Sequence, residues 1–168
     1  VEENRVPLQT LLPEAMVTCE FEEEANEKNL NWCDVLVIGP GLGTEGTGRE
    51  RLLWFLERGT AAKKTVILDA DGLNLLSQHP RWFSYINEKT VLTPHMGEMS
   101  RLTGWEISCL KEDPVAAVLE FAEKNGGVCV LKDACTVVAD QDEHLYLNLS
   151  GNSGMATAGS GDVLSGIM

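Results

Sequence analysis

The glycine-rich segment 152–164 is the part of the sequence whose residue types indicate chemistry most directly. It reads Asn-Ser-Gly-Met-Ala-Thr-Ala-Gly-Ser-Gly-Asp-Val-Leu, and such small residues allow successive backbone N–H groups to point into one concavity. The apolar residues after Asp162 predict the start of a helix, whose N-terminal end carries partial positive charge. The segment therefore predicts a phosphate-binding turn beside a carboxylate. The alternative is a flexible loop in which Asp162 is an ordinary helix cap.

Four further polar or glycine-rich clusters follow directly on apolar runs that have the length of strands. They are residues 39–43, 69–74, 93–98 and 132–136. The carboxyl ends of strands in an open parallel sheet form one rim, and ligands bind in the crevice there. We therefore expect the four clusters to converge on one site. Lys132 is the one cation within them, and the alternative role for it is that of a surface lysine.

Residues 41–46 match the pattern Gly-x-Gly-x-x-Gly after a strand, and Asp69 ends the next strand, as in a dinucleotide-binding fingerprint. The match is a weak signal, because a Rossmann turn leads straight into its helix. Here further turn-forming residues, Thr47 and Gly48, precede the helical pattern. A tight turn that needs the φ angles of glycine explains the same residues.

The elements that must position these clusters alternate between short apolar runs and segments of helical period. This alternation predicts βαβ units around a mostly parallel sheet. Strands are predicted at 35–39, as a buried run, and at 65–69 and 90–93. Helices are predicted at 48–58, ended by Gly59, and at 114–126. Residues 127–131, 136–139 and 144–149 predict late strands that add antiparallel pairing.

Composition and charge limit the classes of partner. The 168 residues carry 26 acidic and 13 basic side chains, a formal net charge of −13, which disfavours nucleic acid as a partner. The acidic run from Glu20 to Glu27 is predicted to be a solvated loop. An acidic protein that binds phosphate needs backbone N–H groups, helix N-termini and a few placed cations.

The remaining global features predict a cytoplasmic protein without a membrane partner. The five scattered cysteines, Cys19 among them, indicate neither a disulfide framework nor a zinc site. Residues 1–18 lack the pattern of a signal peptide, and no apolar run is long enough to span a bilayer. We expect a single domain over 1–168, with its core motifs at 35–168 and further elements missing at both ends.

Five motifs, taken in order and spacing, resemble the ADP- or ATP-dependent NAD(P)H-hydrate dehydratase family. They are Gly-Pro-Gly-Leu-Gly, Asp-Ala-Asp-Gly-Leu-Asn, Leu-Thr-Pro-His-x-Gly-Glu, Leu-Lys-x-x-x-Thr-Val-Val and Gly-Asn-x-Gly-Met-Ala-x-x-Gly-x-Gly-Asp-Val-Leu-Ser-Gly. The match runs from about Val35 to the last residue, and other ribokinase-like enzymes share the last motif in outline. The resemblance implies an α/β fold of the ribokinase-like, three-layer αβα kind.

The resemblance also implies a repair reaction. A nucleotide, ADP or ATP, phosphorylates the ring hydroxyl of hydrated NADH or NADPH, and loss of phosphate regenerates the dihydronicotinamide. Hydroxide is a poor leaving group, and the phosphate ester removes that difficulty, provided that a base takes the hydroxyl proton. Asp162 matches the family's base, and Mg²⁺ is the metal that the resemblance implies. Neither the metal ligands nor the choice between ADP and ATP follows from the sequence.

The resemblance assigns site residues by position. Contacts with the nucleotide are implied for Lys132, Asp133, Ala134, Cys135, Thr136, Ser160 and Gly161, the N–H groups of the last two serving as anion donors. Contacts with the hydrated dinucleotide are implied for Gly41, Gly43, Asn74, His95, Glu98, Asn152 and Asp162. Asp133 departs from the family, which usually has glycine there, and His95 has the alternative role of a polar rim residue without a ligand.

Two other functions stay open at this point. A ribokinase-like small-molecule kinase would share the Gly-Ser-Gly-Asp turn and release a stable phosphorylated product. A nucleotide-binding module without catalysis would fit the departure at Asp133. In each case we expect small-molecule ligands and a homo-oligomer with an undetermined number of subunits.

Overall fold

A six-stranded mixed sheet forms from the short apolar runs that begin at Val35. In this computed structural model, which describes residues 4–18 and 21–168, the strands follow one another across the sheet in chain order. They are β1 (Val35–Ile38), β2 (Thr65–Leu68), β3 (Thr90–Leu92), β4 (Val128–Leu131), β5 (Thr136–Asp140) and β6 (Leu145–Asn148). β1 to β4 are parallel, and β5 and β6 add antiparallel pairs. The predicted strands and the late antiparallel pairing are confirmed.

Helices connect the parallel strands, and a last helix follows β6. They are α3 (Thr47–Ala61), α4 (Asp71–Gln78), α5 (Met96–Thr103), α6 (Ile107–Glu112), α7 (Pro114–Asn125) and α8 (Ser160–Ile167), with 3₁₀ segments at Pro80–Tyr85 and Ser153–Met155. Right-handed crossovers between strands that follow in order place the connecting helices on one face of the sheet. Within the ranges that the structure describes, no helix is long and apolar enough to cross a membrane.

The prediction that α3 ends at Gly59 is wrong, because the helix continues to Ala61. Gly59 is buried, and a Cβ atom placed on it would lie 3.3 Å from Val66 Cγ2 and 3.4 Å from Leu36 Cδ2. The glycine therefore lets α3 pack closely on β1 and β2 instead of ending the helix. The prediction of extra turn residues before this helix is also wrong, since it begins at Thr47, directly after Gly46.

β1 is not the buried strand that its sequence predicts. Val35 and Val37 are 42% and 43% exposed, whereas Ile38 is buried in the core. β1 lies at one edge of the sheet, and only one of its faces packs on the core. A run of apolar residues does not distinguish such an edge strand from a central one.

The core lies between the sheet and the helices that connect its strands. Fully buried leucines from α3, β2 and α4 form its centre, together with residues of β3 to β5 and the buried face of α7, and the main members are Leu52, Leu56, Leu68, Leu73, Leu76, Leu92, Val118, Phe121, Leu131 and Val137. The predicted helix at 114–126 is confirmed as α7. The Asp113 carboxylate caps it by accepting a hydrogen bond from the Ala116 N–H at 2.9 Å. This core fixes the strand ends on which the site is built.

The residues before Asp34 form a separate compact unit. It contains α1 (Arg5–Leu11) and α2 (Glu23–Trp32). The prediction of a loop over the acidic run is wrong for Glu23, Glu24 and Glu27, which lie in α2, although their predicted solvation is confirmed. Two glutamates in the first turn suit the positive end of the helix, and Lys28 pairs with Glu24 at 2.8 Å. Cys19 and Glu20 lie outside the described residues.

Candidate functional site

The first two clusters meet where β1 and β2 end. Gly39 has a φ of +132°, and a Cβ atom there would overlap the Asp69 carbonyl oxygen and lie 2.8 Å from the Gly72 nitrogen. Only glycine allows this approach of the two strand ends. Beyond it, the Asp71 carboxylate in the first turn of α4 accepts a hydrogen bond from the Gly43 N–H at 2.9 Å. The loop that carries Gly41 and Gly43 is thereby fixed against α4.

The third cluster forms the N-terminal cap of α5. His95 Nδ1 accepts hydrogen bonds from the N–H groups of Gly97 (3.0 Å) and Glu98 (3.3 Å), and Glu98 Oε2 accepts from the His95 N–H at 2.8 Å. This is a capping box in which the two side chains satisfy each other's backbone donors. Because Nδ1 is an acceptor, the neutral His95 ring carries its proton on Nε2. The ring is 55% exposed at the rim, and its Nε2 lies 3.4 Å from Glu98 Oε1, so this N–H faces the Glu98 carboxylate.

The role of His95 as a cap can be separated from a role in binding. We expect His95→Ala to lower the free energy of unfolding by about 1 kcal/mol, the usual cost of losing an N-cap. His95→Asn should retain most of this stability, because asparagine is also a good cap, but it lacks the Nε2–H donor. Urea unfolding of both variants measures the difference. Equal stability losses in the two variants would contradict the capping role.

The fourth cluster is tied to the second by a buried ion pair. Lys132 Nζ lies 2.8 Å from Asp69 Oδ1, and the Asp69 side chain is only 4% exposed. The Ser165 hydroxyl of α8 donates to the other carboxylate oxygen at 2.7 Å. Burial raises the pKa of Asp69, but the hydrogen bonds from Lys132, Ser165 and Thr93 together with the Lys132 charge outweigh it, so the pKa lies below its ordinary value. Asp69 therefore stays ionised and holds β2, β4 and α8 together.

The glycine-rich turn reaches the same rim. Gly159 has a φ of +86°, and α8 begins at Ser160. A Cβ atom placed on Gly161 would lie 3.9 Å from both Asp69 Oδ2 and Lys132 Nζ. Asp162 precedes Ser165 by three residues, so both lie on one face of α8. Ser165 is buried against Asp69, whereas the Asp162 side chain is exposed.

The free backbone N–H groups at the start of α8 are not the expected pair, which was Ser160 and Gly161. The Ser160 N–H donates to the Thr157 carbonyl oxygen at 3.3 Å, whereas the N–H groups of Gly161 and Asp162 have no acceptor within the part of the chain that the structure describes. The donors left over for an anion are therefore those of Gly161 and Asp162. Asp162 itself is exposed.

The other predicted site residues differ in their burial and in their contacts. Asp133 and Ala134 are exposed in the turn after Lys132, and Cys135 and Thr136 are half-buried at the start of β5. The exposed Asn152 side chain accepts a hydrogen bond from the Gly154 N–H at 2.9 Å and so caps a local 3₁₀ turn. The structure does not bring Asn152 into contact with the four clusters, but it joins those clusters to one another and to α8.

Several residues of the site were not identified from the sequence as site residues. Ser165 and Asp71 each hold part of the rim in place, and Asp69 drew attention only as the end of a strand. Arg101 of α5 donates from Nε to the Asn74 side-chain oxygen at 2.9 Å. Helical spacing is the signal that could have found two of them, since Ser165 and Arg101 each follow a predicted site residue by three positions.

Comparison of the sequence with known proteins assigns the chain to a family. A model of the NAD(P)H-hydrate dehydratase family matches residues 1–168. The bifunctional NAD(P)H-hydrate repair enzyme of Escherichia coli is 40% identical over 166 residues, which cover 99% of this chain and 30% of that protein. The chain spans only a quarter to a third of the length of the first curated relatives that it matches.

Solved structures give a matching result. A ribokinase-like superfamily protein from Enterococcus faecalis has a TM-score of 0.83 and 34% identity, covering 98% of this chain and 56% of that one. The ADP/ATP-dependent NAD(P)H-hydrate dehydratase of Bacillus subtilis, co-crystallized with ATP and Mg²⁺, has a TM-score of 0.72 and 29% identity, covering 98% and 57%. These likenesses confirm the ribokinase-like α/β fold that the sequence predicts.

Proposed function

Because the chain belongs to the NAD(P)H-hydrate dehydratase family, we propose that its rim site returns hydrated NADH or NADPH to the dihydronicotinamide in a nucleotide-dependent reaction. The observation that carries this proposal is the contact between the glycine-rich turn and the strand ends. Ser165 and Gly161 of α8 lie against Asp69 and Lys132, which directly follow β2 and β4. The helix that carries Asp162 is therefore fixed to the sheet at the point where the clusters converge.

The start of α8 supports phosphate binding. The N–H groups of Gly161 and Asp162 have no acceptor in the described ranges, and the N-terminal end of a helix attracts an anion. Lys132 adds a positive charge beside them, held in position by Asp69. We propose that the transferring phosphoryl group lies over these donors, with residues 132–136 along the nucleotide. Fixed donors of this kind stabilise charge on a phosphoryl group in transfer.

We propose Asp162 as the general base. Its exposed carboxylate has no hydrogen-bond partner among the described residues, so its oxygens are free to accept the proton of the ring hydroxyl. The hydroxyl oxygen then takes the terminal phosphoryl group of the nucleotide. Elimination breaks the ring C–O bond, and phosphate leaves with that oxygen as the ring nitrogen supplies electrons. The neighbouring ring carbon then loses a proton, which restores the ring double bond. Each turnover therefore converts one nucleotide and releases one phosphate.

The hydrated ring is proposed to lie between the Gly41–Gly43 loop and the start of α5. The exposed His95 ring forms the α5 side of this space, with Nε2 3.4 Å from Glu98 Oε1, while Glu98 Oε2 serves the capping box. Asn74 lies on α4 between these two walls and contacts Arg101. Backbone from the glycine loop can approach an uncharged ring closely, because glycine has no Cβ atom.

The chemistry of the rim fits a Mg²⁺ ion that binds together with the nucleotide. Mg²⁺ is usually held by one or two carboxylates, substrate phosphates and waters. Asp133 and Asp162 are the exposed carboxylates near the proposed phosphate site, whereas both oxygens of Asp69 are engaged. A bound Mg²⁺ would neutralise charge on the phosphates. The one group of three side chains within metal-binding distance in the described residues, Asp140, Asp142 and His144, lies in the β5–β6 turn, away from the rim.

The proposal is tested by assaying the complete protein that contains this chain with hydrated NADH and with ADP and ATP side by side. We expect the dihydronicotinamide absorbance to return with one phosphate released per NADH formed. A persistent phosphoester found by mass spectrometry would overturn elimination and favour a small-molecule kinase. Tight ADP binding in calorimetry without turnover would favour a non-catalytic nucleotide-binding module, for which the exposed charge of Asp133 beside Lys132 is the motivating feature.

We propose small molecules as the only ligands of the site and a cytoplasmic homo-oligomer as its setting. The net charge of −13 disfavours nucleic acid and anionic membranes. Exposed apolar side chains on β6, Leu145, Tyr146 and Leu147, are of the kind that an oligomer interface buries. Light scattering of the complete protein measures the number of subunits, and a monomer would contradict this part of the proposal.

A further inference from the structure

Arg101 is an exposed cation on the α5 side of the rim, and most of its donors are uncommitted. Its Nε–H donates to the Asn74 side-chain oxygen at 2.9 Å. The four N–H groups on its two Nη atoms have no acceptor among the residues that the structure describes. A single anchor fixes the plane of a guanidinium while its outer edge stays open to a ligand.

The position of Arg101 is set by the same helix that holds the glycine loop. Asp71 and Asn74 are three residues apart on α4, so they share one face. Asp71 accepts from the Gly43 N–H, and Asn74 accepts from Arg101. A Cβ atom placed on Gly97 would lie 3.8 Å from Arg101 Nη1 and 3.3 Å from His95 Nδ1. Arg101 therefore lies beside the wall that is proposed to bind the hydrated ring.

The local charges favour an anionic ligand at this arginine. Lys132 is paired with Asp69 beside α8 and is assigned to the transferring phosphoryl group, not to this wall. Asp71 adds a carboxylate to the α4 wall, and the whole chain is strongly acidic. A negatively charged ligand binds beside these carboxylates only if a fixed cation with free N–H donors offsets their charge, and Arg101 is such a cation. The planar fork of a guanidinium matches two phosphate oxygens at once.

We propose that Arg101 binds a phosphate group of the hydrated dinucleotide and that Asn74 orients its guanidinium. This inference rests on the proposed function. The substrate offers two sources of that group, which are the pyrophosphate bridge of both forms and the 2′-phosphate of the NADPH form. Arg101 is thus a substrate-binding residue that acts on affinity and leaves the chemical step to Asp162.

The test compares Arg101→Gln and Arg101→Lys on hydrated NADH, hydrated NADPH and the hydrate of reduced nicotinamide riboside, which has no phosphate. Losing a charge-assisted hydrogen bond costs roughly 1.5–3 kcal/mol, or about 10- to 150-fold in affinity. We expect Arg101→Gln to raise KM for the dinucleotide by about that factor with kcat unchanged, and Arg101→Lys to recover part of the loss. The KM for wild type should rise with salt more steeply than that for Arg101→Gln.

The outcomes separate the two proposals. If Arg101→Gln raises KM for both dinucleotides, Arg101 binds the pyrophosphate. If it raises KM for hydrated NADPH alone, Arg101 binds the 2′-phosphate. The inference is overturned if Arg101→Gln leaves KM and its salt dependence unchanged, or if it raises KM for the riboside hydrate by the same factor. Wild-type turnover in the same assays would leave the proposed function standing. A wild-type protein that converts neither hydrate refutes the proposed function first. Arg81→Gln, an exposed arginine on the 3₁₀ segment after α4, is the matched control and should change nothing.

Discussion

We expect Asp162→Asn to lower kcat for hydrated NADH by about a thousand-fold, the middle of the range for losing a positioned general base. Asparagine has nearly the same shape as aspartate but accepts no proton at neutral pH. Asp162 is exposed and has no hydrogen-bond partner among the described residues, so the free energy of unfolding should change by less than about 1 kcal/mol. Steady-state assays at saturating nucleotide, urea unfolding and ADP calorimetry measure the three quantities.

The comparison needs a matched carboxylate away from the rim. Asp142 is exposed in the β5–β6 turn, and Asp140 beside it pairs with Val128 at the start of β4, whereas Lys132 follows the end of that strand. Asp142→Asn therefore changes the net charge by the same amount at the opposite end of the sheet. We expect it to leave kcat unchanged. A kcat for Asp162→Asn within a few-fold of wild type, with ADP still bound, would remove Asp162 as the base.

The convergence of the clusters could be predicted from the sequence because it depends on a rule about strand direction. Each cluster follows an apolar run, and parallel strands bring their carboxyl ends to one rim. The isolated bridge between His95 and Lys132, and the hydrogen bond from the Lys132 N–H to the Pro94 carbonyl oxygen at 2.8 Å, are the direct result. No knowledge of individual side-chain contacts is required for this step.

The contacts that hold the site together could not be predicted in the same way. Asp69 lies 63 residues from Lys132 and 96 from Ser165, and Arg101 lies 27 from Asn74. Such partners are chosen by packing across the sheet, and a single sequence carries no local signal for them. The errors at Gly59 and in β1 have a related origin, because hydrophobic period and glycine position do not reveal which neighbour an element packs against.

The buried Asp69 carboxylate is the contact on which most of the rim depends. It joins β2 to Lys132 after β4 and to Ser165 of α8, while only 3% of the residue is exposed. Replacing it by alanine removes the acceptor of the Lys132 and Ser165 hydrogen bonds and leaves the Lys132 ammonium without its counter-ion. Removing one partner of a buried ion pair costs about 3–5 kcal/mol. Lys132 retains some access to solvent, its side chain being 22% exposed, so we expect a loss of about 3 kcal/mol for Asp69→Ala.

A double-mutant cycle isolates the ion pair from the rest of the network. Urea unfolding at neutral pH gives the free energies of unfolding of Asp69→Asn, Lys132→Met and the double variant. We expect the double variant to be less destabilised than the sum of the single changes, because neither charge is then left unpaired. Strict additivity would mean that Asp69 acts mainly through Ser165. Lys132→Met also serves as the test of whether the lysine contributes to ADP affinity.

The pH dependence of stability gives an independent measure of the same carboxylate. The pKa of Asp69 is lower in the folded protein than its ordinary value of 3.8, which approximates the unfolded chain. Its contribution to stability is therefore complete above that value and is lost as the pH falls below it toward the folded pKa. We expect the unfolding free energy of wild type to fall more steeply below about pH 4 than that of Asp69→Asn. Parallel curves for the two proteins would show that the carboxylate has the same proton affinity folded and unfolded. The rim would then have to be held by Ser165 and backbone contacts alone, and α8 would keep its position when the ion pair is removed.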